Sequence, residues 1–141
     1  MCAEVDSAVS ESGVKVSVIV ADDDPDIRSL VAFAAQKAGL DLVDELGNGD
    51  DAWDSIVAFT PDLAVLDVAM PGKTGLELCR LIRADARVGG MHIVLLSAAV
   101  DEVSQQLGRD AGANDYLIKP FSPRELAERL SLLAPPIGVR P

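Results

Sequence analysis

Side chains that could hold a metal ion or a phosphoryl group follow several apolar segments of this chain. Asp22 and Asp23 come directly after the apolar run VKVSVIVA, and Asp67 ends the run LAVLD. Ser97 and Lys119 close two later apolar segments. Because the carboxyl ends of parallel strands meet at one edge of a sheet, where such folds bind their ligands, we expect these five side chains to lie close together.

This combination of carboxylates, hydroxyl and amine is suited to phosphoryl chemistry. Three neighbouring carboxylates repel one another and raise one another's pKa values unless a cation lies between them. A hard divalent ion such as Mg²⁺, which binds carboxylate, water and phosphate oxygens, would relieve that repulsion. The amine and the hydroxyl could then stabilise an incoming phosphoryl group, and the central carboxylate could attack it to form an acyl phosphate. Taken singly, each residue has a simpler role, since an aspartate can cap a helix, a serine can begin a turn and a lysine can be solvated.

The segments that must position these residues alternate between strand-like and helix-like patterns. Short β-branched and apolar runs predict five strands, at residues 14–21, 40–46, 63–66, 92–97 and 114–118. Apolar residues at helical spacing follow each strand. Strict alternation of this kind predicts a parallel sheet with right-handed crossovers and helices on both faces, which is a doubly wound α/β fold.

Cap signals mark where several helices begin. Asp24 precedes Pro25, which suits the first turn of a helix, so Asp24 is expected mainly to cap that helix. Thr74 and Glu77 have the spacing of a capping box at the start of the third helix, which should run to about residue 86. Ser122 opens the fifth helix, whose inward face is expected to carry three leucines: Leu126, Leu130 and Leu133.

Composition limits the functional classes. A chain of 141 residues with 49% hydrophobic residues fits a single domain. Its net charge is −11, and its basic residues form no cluster, so a nucleic-acid-binding surface is not expected. Cys2 and Cys79 are too few for a disulfide framework or a cysteine metal site. The N-terminal residues lack a signal-peptide pattern and no apolar run is long enough to span a membrane, so a cytoplasmic protein without membrane contact is expected.

Four motifs together resemble the response-regulator receiver domain of two-component phosphorelay systems: VIVADDDPDIR, PDLAVLDVAMPGKTGLEL, IVLLSA and GANDYLIKPFSPREL. The resemblance covers residues 14–134. It implies a five-stranded, flavodoxin-like (βα)5 fold with strand order 2-1-3-4-5. Residues 1–13, rich in serine and acids, are then expected to be a disordered N-terminal extension, and residues 135–141 a C-terminal tail or the stump of a linker.

The resemblance also assigns roles to the acids. It implies that Asp67 is the phosphoacceptor, which attacks a phosphohistidine on a partner protein. Asp22 and Asp23 would form the acidic pocket. Asp23, Asp67 and the backbone carbonyl of Ala69 would bind Mg²⁺, with Asp22 acting through water.

The remaining implied roles concern phosphate binding and signalling. Lys119 would hold a phosphoryl oxygen, and Ser97 would supply both a phosphate-binding and a switch hydroxyl. Tyr116 matches the aromatic switch of the family. The bond between Lys119 and Pro120 resembles the family's usual cis peptide bond, a conformation that is costly except before proline.

The expected partners follow from the same resemblance. They are a sensor histidine kinase or phosphotransfer protein and a downstream protein of unknown identity, and a second copy of the chain is a further candidate. The output surface would be formed by the fourth helix, fifth strand and fifth helix. The chain would be no enzyme acting on a separate substrate, because it would catalyse only its own phosphorylation and dephosphorylation.

Other functions are weighed against this hypothesis. The chain could be the receiver fragment of a multidomain regulator, or a receiver that binds a partner without phosphorylation. A phosphatase of the haloacid dehalogenase type also places two acids as Asp22 and Asp24 are spaced, but Asp26 stands where that family has threonine or valine. A calcium loop is excluded because Ile27 occupies its required glycine position.

Overall fold

Five strands and five helices alternate along the part of the chain that the computed structural model describes, residues 16–133. In chain order they are β1 (Ser17–Ala21), α1 (Pro25–Lys37), β2 (Asp41–Leu46), α2 (Gly49–Phe59), β3 (Leu63–Asp67), α3 (Gly75–Ala84), β4 (His92–Ser97), α4 (Glu102–Ala111), β5 (Asp115–Ile118) and α5 (Pro123–Leu133). All the pairings between strands are parallel, and the strand order is β2-β1-β3-β4-β5. The predicted doubly wound five-stranded fold and its strand order are therefore confirmed.

The sheet separates two hydrophobic cores, because successive side chains of a strand point to opposite faces. Val18 and Val20 of β1 belong to one core, which α1 and α5 complete. Ile19 and Ala21 belong to the other core, which is covered by α2, α3 and α4. Every residue of β3 is buried, as expected of a central strand covered by helices on both faces.

Most predicted boundaries agree with the structure within two residues. β1 is described from Ser17, while predicted strand residues 14 and 15 lie outside the described part of the chain. α3 ends at Ala84 rather than near residue 86, because Asp85 adopts an extended conformation. Leu126 and Leu130 are buried as predicted, and the Leu133 side chain lies outside those described.

The predictions for the chain termini concern residues outside the described part of the chain. The proposed extension at residues 1–13 and the proposed tail at 135–141 lie outside the described residues. Among residues 16–133, no helix is both long enough and apolar enough to cross a membrane.

Helix caps place α1 and α3 directly behind the carboxyl ends of β1 and β3. The Asp24 side chain accepts hydrogen bonds from the backbone N–H groups of Asp26 and Ile27, which confirms its capping role. Thr74 and Glu77 form the complete capping box of α3. These bonds satisfy N–H groups that the first helical turn leaves without partners.

The start of α3 packs closely against the end of β3. The backbone N–H of Gly75 donates to the carbonyl oxygen of Val68 at 3.1 Å. A Cβ atom on Gly75 would lie only 2.5 Å from the backbone oxygen of Asp67. Residue 75 must therefore be glycine for the helix to approach the strand end that carries Asp67.

We predict that Gly75→Ala lowers the free energy of unfolding by about 1–3 kcal/mol, the usual cost of overpacking. The matched control is Gly90→Ala, because a Cβ at Gly90 would meet no heavy atom within 4 Å. Urea unfolding followed by circular dichroism measures both variants. Equal stability of the two variants would contradict the close approach of α3 and β3.

Candidate functional site

The carboxyl ends of four strands bring the predicted site residues to one edge of the sheet. Asp22 follows β1, Asp67 ends β3, Ser97 ends β4 and Lys119 follows β5. The side chains of Asp22, Asp67 and Ser97 are buried, whereas Asp23 is exposed. Carboxylate oxygens of Asp22, Asp23 and Asp67 all lie within 4.8 Å of one another.

Lys119 lies between the two buried carboxylates. Its Nζ is 3.1 Å from Oδ2 of Asp22 and 3.3 Å from Oδ1 of Asp67. Burial alone would lower the pKa of Lys119, but its close contacts with the two carboxylates of Asp22 and Asp67 outweigh that effect and raise the pKa. The ammonium group is therefore charged at neutral pH and acts as the internal counter-ion of the site.

Asp67 has a strongly perturbed carboxyl group. Burial and the negative charge of Asp22 raise its pKa from 3.8 to about 6, although Lys119 and the Ala69 N–H act in the opposite direction. The Ala69 N–H donates to Oδ1 of Asp67 at 3.3 Å. A carboxylate with this pKa is mostly ionised at neutral pH and is poorly solvated, which suits a nucleophile.

We predict that Asp67→Asn stabilises the metal-free protein at neutral pH. The folded-state pKa of Asp67 lies above its ordinary value, so this group favours folding below pH 3.8 and loses that contribution as the pH rises through about 6. Replacement by neutral asparagine removes the cost of burying the charge, which is on the order of 1–3 kcal/mol at about 1.4 kcal/mol per pKa unit.

Urea unfolding in EDTA at several pH values between 4 and 7.5 tests this prediction. The stability difference between variant and wild type should grow with pH through the range around 6. A difference that does not change with pH would contradict the raised pKa of Asp67.

The three clustered carboxylates fit a divalent cation. Oδ1 of Asp22 accepts the N–H of Asp24 at 3.0 Å. Oδ2 of Asp22 is buried and forms no hydrogen bond of favourable geometry, although the Lys119 ammonium lies near it. Mg²⁺ prefers hard oxygen ligands, and a shared cation would relieve the repulsion between carboxylates grouped this closely. Asp23, being exposed, leaves the cluster open to solvent.

Ser97 and Tyr116 lie on neighbouring strands behind this edge. The Ser97 hydroxyl accepts the N–H of Ala99 at 3.0 Å, and the Tyr116 hydroxyl donates to the Ala99 carbonyl at 3.2 Å. A cavity of about 70 Å³ separates them, with walls formed by both residues together with Val68, Leu76, Ala99, Ser104 and Leu107. Tyr116 thus forms part of the wall of an open space beside Ser97.

The end of β5 is tied to the end of β4 at this edge. The Lys119 N–H donates to the carbonyl of Ser97 at 2.8 Å. The peptide bond between Lys119 and Pro120 is cis, the conformation that the sequence resemblance implies. The hydrogen bond to Ser97 holds the Lys119 backbone at the edge of the sheet where Asp22 and Asp67 lie.

Sequence reasoning missed one residue that supports the acidic loop. Arg28, in the second turn of α1, donates from Nη1 to the backbone carbonyl of Asp22 at 2.8 Å. Its only signal in the sequence is a cation six residues after Asp22, which is too common to predict such a contact.

Comparison with known proteins agrees with this geometry. A family model for the response regulator receiver domain matches residues 18–131. The chain belongs to this family. It is thus a receiver domain of the response regulators of two-component systems.

The receiver domain resembles named regulators over part of their length. It is 38% identical over 113 residues to the DNA-binding response regulator MtrA of Mycolicibacterium smegmatis, covering 80% of this chain and 48% of MtrA. It is 40% identical over 117 residues to the transcriptional regulatory protein GltR of Pseudomonas aeruginosa, covering 83% of this chain and 48% of GltR. The chain therefore spans about half the length of these curated relatives.

Solved structures show the same fold. The BeF3-activated receiver domain of DrrB superposes with a TM-score of 0.75 at 30% identity, covering 83% of this chain and 95% of that one. The chemotaxis response regulator CheY4 of Vibrio cholerae superposes with a TM-score of 0.77 at 28% identity, covering 84% and 98%. Both neighbours support the receiver fold.

Proposed function

We propose that this receiver domain accepts a phosphoryl group on Asp67 from the phosphohistidine of a sensor kinase or phosphotransfer protein. The observation that carries the proposal is the buried Asp67 carboxyl, whose pKa is raised to about 6 and which contacts Lys119 at the acidic edge of the sheet. Carboxylate oxygens of Asp22 and Asp23 lie within 4.8 Å of an Asp67 oxygen, and the Lys119 ammonium is 3.3 Å from Asp67 Oδ1.

In the proposed reaction an ionised Asp67 oxygen attacks the phosphorus atom in line with the departing histidine nitrogen. The P–N bond breaks as the P–O bond of the acyl phosphate forms, and the released imidazole retains the bonding electron pair. Lys119, already 3.3 Å from Asp67 Oδ1, is placed to neutralise a phosphoryl oxygen. The Ser97 hydroxyl would donate to another phosphoryl oxygen.

Asp23, Asp67 and the backbone carbonyl of Ala69 would hold Mg²⁺, with Asp22 acting through water. The ion would neutralise the repulsion between the carboxylates and the phosphoryl oxygens. The proximity of the three acids and the incompletely satisfied Asp22 oxygen support this assignment.

The proposed output is the face formed by α4, β5 and α5. Ser97 turns toward the phosphoryl group, and Tyr116 enters the cavity beside it. Phosphate shifts the population only if it binds the switched state more tightly than the resting one. The Tyr116 ring packs against Gly108 in α4, where a Cβ atom would lie 2.9 Å from the ring, so movement of Tyr116 alters the contact with α4.

A second candidate function is that of the receiver part of a longer DNA-binding regulator. This candidate is favoured by the relative MtrA, which is named a DNA-binding response regulator and of which this chain covers only 48%. That the present residues do not contact nucleic acid themselves is a prediction, which rests on the net charge of −11. The predicted compartment and kinase partner likewise remain predictions.

We predict that Asp67→Asn abolishes phosphorylation by acetyl phosphate or by a cognate kinase, because the amide cannot form the acyl phosphate. Asp24→Asn is the matched control, since asparagine caps α1 as well as aspartate does. Intact-protein mass spectrometry detects the phosphorylated species, and peptide mapping locates it. Label retained on another carboxylate of the Asp67→Asn protein would refute the assignment.

We predict that Mg²⁺ raises the melting temperature of the wild-type protein. Binding to the folded state alone contributes about 1.4 kcal/mol at ten times Kd, or roughly 5 °C for a domain of this size. Asp23→Asn should remove most of the shift, whereas Asp24→Asn, the same charge change one position along, should retain it. Differential scanning fluorimetry measures the shift, and equal responses of the two variants would rule out Asp23 as a ligand.

We predict that the phosphate mimic beryllofluoride, added with Mg²⁺, shifts the NMR signals of Tyr116 and of α4 as well as those of the site. The cavity beside Ser97 gives the reason, because Tyr116 can occupy it once the hydroxyl turns away. Asp67→Asn serves as the control that cannot hold the mimic. Shifts that stay confined to the sheet edge would contradict the switch.

A further inference from the structure

The β2–α2 turn, defined as residues 47 and 48 together with Gly49 and Asp50, the first two residues of α2, touches both loops that carry the candidate metal ligands. On the side of the acidic pair, the Asp22 N–H donates to the carbonyl of Leu46 at 3.0 Å. The guanidinium of Arg28, which holds the Asp22 carbonyl, lies against Gly47: a Cβ there would be 3.0 Å from Nη1. The turn therefore supports the backbone of the first acidic loop.

On its other side the turn meets the loop that follows Asp67. The Gly49 N–H donates to the Pro71 carbonyl at 2.9 Å. A Cβ on Gly49 would lie 1.7 Å from the carbonyl oxygen of Lys73, so the two backbones are in direct contact. Only glycine permits this approach at residue 49.

A salt bridge reinforces the same contact. Nζ of Lys73 lies 2.8 Å from Oδ1 of Asp50. Gly72, with φ +74°, lies so near this pair that a Cβ would be 2.8 Å from Oδ2 of Asp50. The Lys73 and Asp50 side chains are 36% and 63% exposed, and an ion pair with that exposure contributes little to global stability.

The segment between these anchors contains Ala69. Before it, the Val68 N–H is bonded to the Leu96 carbonyl at 2.9 Å. After it, the next fixed points are the buried Met70 and the Pro71 carbonyl held by the turn. The segment that contains Ala69 is thus held by strand β4 and the start of α3 on one side, since Gly75 bonds the Val68 carbonyl, and by the β2–α2 turn on the other.

We propose that the β2–α2 turn, through Gly49 and the Asp50–Lys73 pair, is a positioning element for the metal site. It holds the Ala69 carbonyl and Asp67 in register with Asp23, and so sets metal affinity without contacting the ion. This inference rests on the proposed function. Groups that orient ligands from outside the coordination sphere commonly tune metal affinity in this way.

Lys73→Met gives the sharpest test, because the loss of its positive charge and the loss of its contact with Asp50 predict opposite effects on Mg²⁺ affinity. Removing a cation near a divalent-ion site strengthens binding by electrostatics alone. Loss of the loop anchor weakens it. The matched control is Arg80→Met, which removes an exposed cation from α3. Asp50→Asn is compared with Asp54→Asn, which removes the same charge one helical turn away.

Mg²⁺ affinity is measured by isothermal titration calorimetry at low ionic strength, where surface ion pairs are least screened. Lys73→Met and Asp50→Asn should each weaken binding about threefold to tenfold, and the double variant no further. The two control variants should bind nearly as wild type does. Melting temperatures in EDTA should be unchanged.

Lys73→Met protein that binds Mg²⁺ as tightly as wild type, or more tightly, would overturn the inference. So would a weakened affinity with a matching fall in the metal-free melting temperature, which would mark a purely structural contact. A wild-type chain that binds no Mg²⁺ would instead overturn the proposed metal site itself, and this inference with it.

Discussion

The contact of one lysine with two buried carboxylates is the interaction on which the site depends. Lys119 lies 3.1 Å from Asp22 and 3.3 Å from Asp67. Without a cation, two buried acids this close would repel each other, and one would take up a proton. Even with Lys119 present the pKa of Asp67 is raised to about 6. One ammonium group does not fully neutralise the two carboxylates. An additional cation can neutralise the remaining negative charge.

The fold makes that arrangement possible through the parallel sheet. Strands β1, β3 and β5 end at the same edge, so residues far apart in sequence meet there without long loops. Helices on both faces of the sheet bury every residue of β3, including Asp67 at its end. The loops beyond the strand ends are then held by contacts to neighbouring turns, as Gly49 holds Pro71.

Much of this could be predicted from local patterns. Apolar periodicity and caps at Asp24 and Thr74 define the five strand-helix units, and their strict alternation brings the acids to one edge. The sequence predicts that Lys119 lies near the acids, but the individual distances and the size of the Asp67 pKa shift could not be predicted, because they depend on the packing of residues remote in sequence. The contact of Gly49 with the loop after β3 could not be predicted either, since the motif GNGD predicts a turn but not which segment packs against that turn.

A carbon-detected NMR titration of the Asp67 carboxyl tests the central claim most directly. In metal-free wild-type protein it should give a pKa of about 6. In Lys119→Met protein the pKa should be higher still, because the lysine lowers it. A wild-type pKa near 3.8, or one that Lys119→Met leaves unchanged, would contradict the account of a buried acid restrained by a single internal cation.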